Sequence, residues 1–236
     1  MTVAILVEAL TVEFGRFRAI DDLSLAIDYG EVRAVIGPNG AGKTTLLDVI
    51  SGVSRAKTGR ILFDEKLELT RASEAQIARS GVRRKFQKPS VFEALTVRDN
   101  VEIGLGGAID AVARERVDKT LETVGLAAEA GRLAGELAHG QKQWLEIAMV
   151  VVSEPKVLML DEPVAGLTDE ETERTSALIR ALKSPERAVI VVEHDMDFVE
   201  TVADRVTVLH EGRTLFEGSM ARARADARVV DVYLGR

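Results

Sequence analysis

The sequence predicts an α/β fold, in which the strands of a parallel sheet alternate with helices and a block of helices interrupts the sheet. Apolar runs of strand length recur along the 236-residue chain, at residues 32–36, 157–160, 188–192 and 206–209. Helical spacing dominates between the first two of these runs, at residues 97–105, 112–124 and 141–152. A further helical pattern, at residues 170–183, separates two of the later runs. Strands on both sides of a helical block indicate a core with an inserted all-helical subdomain.

The first part of the chain predicts a small antiparallel β subdomain beside that core. Residues 3–28 are rich in strand formers, and Phe14-Gly15-Arg16-Phe17 is typical of a turn between two strands. Residues 59–64 form another run of strand type. We therefore divide the chain into a first core part with the β subdomain (1–87), the helical subdomain (88–156) and a second core part (157–236).

The composition argues against several classes of protein. Hydrophobic residues make up 46% and charged residues 29%, which is ordinary for a globular domain. No apolar run approaches the roughly 20 residues of a membrane helix, and the first ten residues lack the basic region expected of a signal peptide. The absence of cysteine excludes disulfides, and three histidines without an acidic cluster argue against a protein-held zinc. A net charge of −7 makes broad nucleic-acid binding a poor expectation.

The strongest motif is a full match to the phosphate-binding pattern GxxxxGK(S/T). It consists of Gly37, Pro38, Asn39, Gly40, Ala41, Gly42, Lys43, Thr44 and Thr45. A predicted strand precedes it and a helical run follows, so that backbone N–H groups and a positive helix end surround one point, where a polyphosphate fits. Lys43 can reach the β- and γ-phosphates, and the Thr44 hydroxyl can bind Mg²⁺. A glycine-rich loop that binds nothing would not need both flanking elements, so the sequence predicts binding of ATP or GTP.

Polar residues stand where several predicted strands end, and ligands of open α/β sheets bind beyond those ends. Asp161 and Glu162 follow the run at 157–160; the first suits a Mg²⁺-bound water, and the second can accept a proton from an attacking water. Gln87 and His194 follow two other strands. Each alone has a simpler interpretation as a loop residue, a structural histidine or part of a helix N-cap. Behind a phosphate loop, we expect all of them to face one pocket.

Two other patterns leave alternatives open. Residues 137–141 (Leu-Ala-His-Gly-Gln) open a helix with small residues, as a second anion site would, although a structural turn between helices has the same pattern. A basic cluster around Gln87 indicates either a solvated strand edge or a contact with a partner. The cluster consists of Arg83, Arg84, Lys85 and Lys88.

Together these motifs resemble those of the ATP-binding subunit of ABC transporters, and the resemblance covers nearly the whole chain. In the family's order the motifs are the phosphate loop, the Q-loop, the signature, Walker B, the D-loop and the switch histidine. The corresponding positions are residues 37–45, Gln87, 137–141, 157–162, 165–169 and His194.

This resemblance implies a P-loop NTPase core of the ABC ATPase type, with ATP and Mg²⁺ as cofactors. Two such subunits enclose two ATP molecules, each between the phosphate loop of one subunit and the signature of the other. The implied signature residues are Ala138, His139, Gly140 and Gln141. The implied catalytic residues are Glu162, His194 and Gln87, and the implied metal-binding residues are Thr44, Gln87 and Asp161. Phe14, rather than Phe17, is the aromatic residue that the resemblance places on the adenine.

Longer stretches resemble one group within the family, the importers of branched-chain amino acids and urea, and the urea-type subunit most of all. These stretches are residues 84–93, 139–147, 162–169 and 232–236. The group implies an ATPase on the cytoplasmic face of the membrane that energises uptake of urea, short-chain amides or branched-chain amino acids. Its partners would be a second ATP-binding subunit, two permease subunits and, indirectly, a periplasmic or lipid-anchored binding protein. An exporter ATPase of the lipopolysaccharide-transport type is the alternative, because it shares parts of the C-terminal ending.

The sequence departs from this family in two places. Ala138 stands where the general signature LSGGQ has a serine, and His139 stands where it has a glycine. Since the backbone donors of the helix start remain, we expect function to persist. Residues 104–115 form a shorter segment than in the importer group, within the predicted helical subdomain. We also expect Arg84, Lys85 and Phe92 to lie at or near the permease surface.

Overall fold

The described strands of the protein form two sheets. The computed structural model describes residues 2–86 and 90–234. The strands are β1 Val3–Phe14, β2 Phe17–Asp28, β3 Val32–Ile36, β4 Thr58–Phe63, β5 Leu67–Glu68, β6 Val82–Lys85, β7 Val157–Asp161, β8 Ala188–Val192, β9 Arg205–His210 and β10 Arg213–Gly218. One sheet has the order β2-β1-β4-β5 and the other the order β10-β9-β3-β8-β7-β6.

The six-stranded sheet is the predicted parallel core. Strands β9, β3, β8, β7 and β6 run parallel, and β10 is an antiparallel neighbour of β9 at one edge. Every residue of β3, β7 and β8 is buried, as expected for parallel strands covered on both faces. The carboxyl ends of parallel strands meet at one edge, which brings the residues that follow β3, β7 and β8 together.

The four-stranded sheet is the predicted antiparallel subdomain. Strands β1 and β2 form a hairpin in which Phe14 pairs with Phe17 across the turn at Gly15. Strand β1 also pairs with β4, which confirms the strand predicted at residues 59–64. The two-residue strand β5 was not predicted, because so short a run has no period to detect.

Helices cover the six-stranded sheet and fill the interval between β6 and β7. They are α1 Lys43–Ser51, α2 Glu74–Ser80, α3 Val97–Leu105, α4 Ala111–Thr123, α5 His139–Val151, α6 Asp169–Leu182, α7 Met196–Val202, α8 Met220–Ala225 and α9 Ala227–Leu234. The predictions of α3 to α6 agree with these bounds to within two residues at each end. Among the described residues, no helix combines the length and the apolar character needed to cross a membrane.

Two apolar clusters lie on the two faces of the six-stranded sheet. Side chains alternate along β7, so that Leu158 and Leu160 belong to one cluster and Val157 and Met159 to the other. The first cluster also contains side chains of α3, α4, α5 and α6, and the second contains those of α1 and the antiparallel sheet. The sheet is therefore a wall shared by the inserted helices and the β subdomain.

Candidate functional site

The phosphate loop connects the end of β3 to the first residue of α1. Gly42 caps α1 with φ +100°, a conformation that residues with a side chain rarely adopt. A Cβ at Gly42 would also lie 2.6 Å from the carbonyl oxygen of Ala19, so a side chain has no room there. Gly42 offers no side-chain cap, and the first N–H groups of α1 are therefore available to an anion.

Lys43 lies over this loop and is nearly buried. Its Nζ donates hydrogen bonds to the carbonyl oxygens of Gly37 (2.7 Å) and Pro38 (3.0 Å). Burial lowers the pKa of Lys43, and the negative charges of Glu162, Asp161 and Glu193 act in the opposite direction. The lysine is thus held between the loop that would carry phosphates and the carboxylates at the ends of β7 and β8.

A cleft of about 170 Å³ opens above the loop. It is lined by residues 39–45 together with Phe17, Ala19 and Glu162. A wider groove of about 850 Å³, lined in part by Tyr29, Lys156 and Pro185, lies at the amino ends of β3, β7 and β8. Because ligands of parallel sheets bind beyond the carboxyl ends of the strands, the smaller cleft is the candidate site.

The two aromatic residues of the β1–β2 turn differ in their relation to the cleft. Phe17 lines the cleft, whereas Phe14 is not among the lining residues. Both are exposed, at 52% for Phe14 and 60% for Phe17, so each has a free ring face. The stacking role of Phe14 stays a prediction, and Phe17 is an equally accessible aromatic residue that stands at the cleft.

Asp161 and Glu162 end β7 as predicted, and they face different surroundings. The Asp161 side chain is buried, and its Oδ2 accepts a hydrogen bond of 2.7 Å from Arg84. Glu162 lines the cleft with a positive φ of 47°, and its N–H donates to the carbonyl oxygen of Val192. The next helix, α6, is capped by Thr168, so the alternative that residues 161–163 start a helix is wrong.

Glu193, which sequence reasoning did not single out, is a buried carboxyl group beside this pair. It accepts hydrogen bonds of 3.1 Å from the N–H groups of Val164 and His194. Burial raises the pKa of Glu193, and the charge of Glu162 raises it further, while these two hydrogen bonds act to lower it. The His194 side chain is exposed, with Nδ1 3.7 Å from Glu193 Oε2. The position of Glu193 directly after the wholly buried strand β8 was the sequence signal that could have identified it.

Residues 137–141 lie at the start of α5 and contact the segment before α6. The N–H of Ala138 donates to Gln141 Oε1 at 3.0 Å. His139 Nε2 is 3.2 Å from the carbonyl oxygen of Ala165, which requires the proton on Nε2 for a hydrogen bond. A Cβ at Gly140 would lie 2.3 Å from Glu171 Oε1. None of the residues lining the cleft belongs to 137–141, so this helix start lies apart from the cleft of its own chain.

The prediction for the basic cluster is wrong at two positions. The side chains of Arg84 and Lys85 are only 3% and 1% exposed, and both form ion pairs inside the protein. Neither a solvated edge nor a permease contact fits such burial, whereas Phe92 is 50% exposed and keeps its predicted surface position. Gln87 and Lys88 lie outside the described residues.

The donor set around the cleft suits a magnesium ion that is shared with phosphates. Among the described residues, no group of three or more His, Cys, Asp or Glu side chains could hold a metal ion. Thr44 lines the cleft, and Asp161 ends β7 at the same edge of the sheet. Mg²⁺ is commonly held in this way, by one or two protein oxygens with water and substrate phosphates completing the octahedron.

A glycine-rich loop between a strand and a helix, a lysine over the loop and two carboxylates at the end of another strand of the same parallel sheet define a P-loop nucleoside triphosphatase. The family model described as ABC transporter matches residues 20–165. The chain is similar to the high-affinity branched-chain amino acid transport ATP-binding protein BraF of Pseudomonas aeruginosa, with 35% identity over 97% of the chain and 96% of BraF. LivG of Escherichia coli K12, another high-affinity branched-chain amino acid transport ATP-binding protein, is 34% identical over the same shares.

Solved structures give the same result. The nucleotide-free ATP-binding cassette of an ABC transporter superposes with a TM-score of 0.90 at 30% identity, covering 99% of this chain and 100% of that one. CbiO1 of Clostridium perfringens, part of an ABC transporter complex, gives 0.86 at 32% identity, with 100% and 97% covered. The chain belongs to the ABC transporter family and is one of its ATP-hydrolysing cassettes.

Proposed function

We propose that this ATPase drives an importer of branched-chain amino acids or of urea and short-chain amides. The observation that carries the proposal is the similarity to BraF, a branched-chain amino acid transport protein, along 97% of the chain. The stretches at residues 84–93 and 139–147 add the resemblance to the urea-type subunit. Export of lipopolysaccharide, the alternative, is favoured only by parts of the C-terminal ending.

In the proposed mechanism the phosphate loop holds the triphosphate through its backbone N–H groups and Lys43. Thr44, Asp161 and Gln87 would hold Mg²⁺, which supplies neutralisation of the β- and γ-phosphate charge when bound. Glu162, at the rim of the cleft, accepts the proton of the attacking water. His194 and Gln87 complete the catalytic set. Glu193 holds the backbone of His194 in place by accepting a hydrogen bond from the His194 N–H.

The signature acts on the nucleotide of a second subunit in this proposal. Residues 137–141 are absent from the cleft lining, although α5 begins with backbone donors suited to an anion. Each chain already carries a complete phosphate loop. A homodimer or heterodimer in which each signature covers the partner's ATP would use both helix starts.

An exposed apolar surface at α3 and the segment before it is the proposed permease contact. Phe92, Leu95 and Ile103 are 50%, 37% and 46% exposed, and a groove of about 350 Å³ lies beside the last two. Large apolar side chains gathered on one surface mark a site of association. With two permease subunits bound here, the ATPase would lie on the cytoplasmic face of the membrane, and the solute-binding protein would act only through the permeases.

The test is reconstitution with the permeases and the binding protein encoded beside this chain. ATP hydrolysis by the complex in liposomes should rise when the binding protein carries leucine or urea, and labelled solute should accumulate on the side of the membrane on which the ATPase lies. Stimulation by leucine alone would identify branched-chain amino acids as the transported solutes, and stimulation by urea alone would identify urea. Movement of a solute only toward the side on which the binding protein lies would contradict import.

A further inference from the structure

Strand β6 ends in two consecutive basic residues that face opposite sides of the sheet. Arg84 pairs with Met159 in the register of β7, and Lys85 pairs with Leu160. Since Met159 belongs to the cluster on the α1 side and Leu160 to the cluster on the helical side, Arg84 and Lys85 point toward those two halves. Asp161, two residues after Met159, lies on the Arg84 side.

Arg84 joins the end of β7 to the helix that carries the phosphate loop. Its Nη2 donates to Asp161 Oδ2 at 2.7 Å, and its Nη1 donates to Asp48 Oδ1 at 2.6 Å. Asp48 belongs to α1, the helix that begins at Lys43. One planar guanidinium therefore fixes Asp161 relative to the phosphate loop. A lysine would offer a single point charge in place of the two donors that the guanidinium holds in fixed directions.

Lys85 joins the same strand end to α5. Its Nζ lies 3.3 Å from Glu146 Oε2, and both side chains are at most 3% exposed. Glu146 also accepts the backbone N–H of Ser90, so residues on both sides of 87–89 contact one carboxylate of α5. Helix α5 is the one that begins with residues 138–141.

These charges are costly to bury, which makes their arrangement informative. An isolated buried ion loses its hydration, and an apolar pair of the same size would stabilise the fold at least as well. The three ion pairs of Arg84 and Lys85 use neighbouring residues of one short strand, and one of them ends on Asp161, the carboxylate proposed to hold Mg²⁺. A connection between the two sites explains the choice of charged residues; a need for stability does not.

We propose that Arg84 is a positioning residue that sets the orientation of Asp161 for the metal, and that the Lys85–Glu146 pair ties the same strand end to α5. The proposal rests on the proposed binding of Mg²⁺ and ATP. A displacement of α5 then moves β6, and through Arg84 it moves Asp161 relative to the phosphate loop. The metal carboxylate and the signature helix are connected in this way within one chain.

The first experiment separates metal from nucleotide. Binding of a fluorescent ATP analogue to the full chain is measured without Mg²⁺ and over a Mg²⁺ titration, for wild type, Arg84→Met and Arg84→Lys. Affinity without Mg²⁺ should be unchanged, and the Mg²⁺ concentration at half-effect should rise about 10-fold in Arg84→Met, as for other groups that orient a metal ligand. Arg84→Lys should lie between them. Arg83→Met, in the same strand but without an ion pair among the described residues, is the control.

The direction of the change decides the first half of the proposal. If Arg84 acted only as a nearby positive charge, its removal would let Mg²⁺ bind more tightly, and a lower or unchanged half-effect concentration would overturn the positioning role. Arg84→Lys keeps a buried cation, so the result remains decisive if Arg84→Met does not fold. A wild-type chain that binds no nucleotide would contradict the proposed function itself, and not this role.

The second experiment tests the link to α5. The double variant Lys85→Met with Glu146→Gln leaves no buried charge at this pair and keeps an acceptor for Ser90. The Mg²⁺ half-effect concentration should rise about threefold in the double variant, and the single variants should be non-additive with it. A half-effect concentration equal to that of wild type in the folded double variant would overturn the connection.

Discussion

The starts of α1 and α5 have the same local design and different surroundings. Both helices begin after a small N-cap residue whose side chain makes no capping hydrogen bond, and both carry a lysine within their first four residues. Lys43 folds over the α1 start and lies between phosphate loop and carboxylates. Lys142 of α5 instead donates to Glu93, a surface residue that lies outside any cleft described above.

The α5 start also faces a negative group of its own chain. Glu171 packs against Gly140, where a side chain would collide with it. The α1 start is thus complete as a phosphate site, whereas Lys142, the lysine in the first turn of α5, is paired with Glu93 and not aimed at the donors of that start. A helix N-terminus therefore becomes an anion site only through the groups that surround it, and the α5 start needs a ligand held by another surface.

The largest effect is expected from a variant that loses ATP hydrolysis at the α1 start and still binds ATP. In Glu162→Gln the side chain keeps its size and loses its basicity, so ATP binding should persist while hydrolysis falls about 10²–10⁴-fold. Steady-state phosphate release and nucleotide affinity measure the two effects. Glu170→Gln, an exposed position on α6, is the matched control. Turnover near that of wild type would move the proton-accepting role elsewhere, with His194 next.

The two lysines compare the helix starts directly. Lys43→Ala removes the cation that the phosphate loop offers to the γ-phosphate, and hydrolysis should fall about 10²–10³-fold. Lys142→Ala removes only a surface ion pair with Glu93, which contributes less than about 1 kcal/mol to stability. ATPase assays of the two variants should therefore differ by at least an order of magnitude. Equal losses would mean that α5 supplies a cation to phosphate as α1 does.

A smaller effect is expected at the contact between the α5 start and the segment before α6. His139→Ala removes the contact of Nε2 with the carbonyl oxygen of Ala165, and ATPase activity should fall about two- to tenfold, the value of one hydrogen bond. His139→Gln places an amide nitrogen at a similar reach and should recover most of the loss. If both variants behave alike, the contact does not position the signature.

The smallest effect is a pH dependence of the free energy of unfolding that arises from Glu193, the residue after β8. Burial raises the pKa of Glu193 above 4.5, the ordinary pKa of a glutamate. Above about pH 4.5, Glu193 therefore holds its proton more often in the native state than in the unfolded state. The free energy of unfolding should fall as pH rises from there through the folded pKa, by at most about 1.4 kcal/mol per pH unit from one group.

Glu193→Gln removes this titration, so its stability should gain on wild type over the same window and the two should keep a constant difference above it. Urea unfolding at a series of pH values measures the difference. Glu186→Gln, on the exposed turn before β8, controls for surface charge. Parallel curves for wild type and Glu193→Gln would show that the group has the same affinity for protons in both states.

Much of the site at the α1 start was predictable because its signals are local in sequence. A strand, a GxxxxGK(S/T) loop and a helix follow one another without interruption, and β7 carries its two carboxylates at its end. Their convergence follows from parallel strand order alone. The helices α3 to α6 were predictable for the same reason, since each is long enough to show its period.

What could not be predicted depends on which face of an element is covered. The alternation in β6 assigns Arg84 and Lys85 to opposite faces, but only the packing of α1 and α5 shows that both faces are buried. Glu193 directly follows the buried strand β8, but only the packing shows that its carboxyl group is buried as well. Helices α7 to α9 have at most eight residues each, which is too few for a period to show.

The α5 start also determines which variant tests its role. Gly140→Asp would set two carboxylates of one chain against each other, because Glu171 lies there. Ala138 is exposed and occupies the N-cap of α5 in an extended conformation. Aspartate and serine both favour that position, so Ala138→Asp and Ala138→Ser should leave the helix intact and differ only in charge. Beside a phosphate, Asp should abolish hydrolysis and Ser should not.

Two heterodimers test whether the α5 start acts on the ATP of a second chain. In a mixture of Lys43→Ala and Ala138→Asp chains, action in trans places both defects in one site and leaves the other site intact. In a heterodimer of wild type with the double variant, action in trans damages both sites. With heterodimer formation verified in each case, we expect ATPase activity in the first and almost none in the second. Activity in the second heterodimer and none in the first would contradict the account.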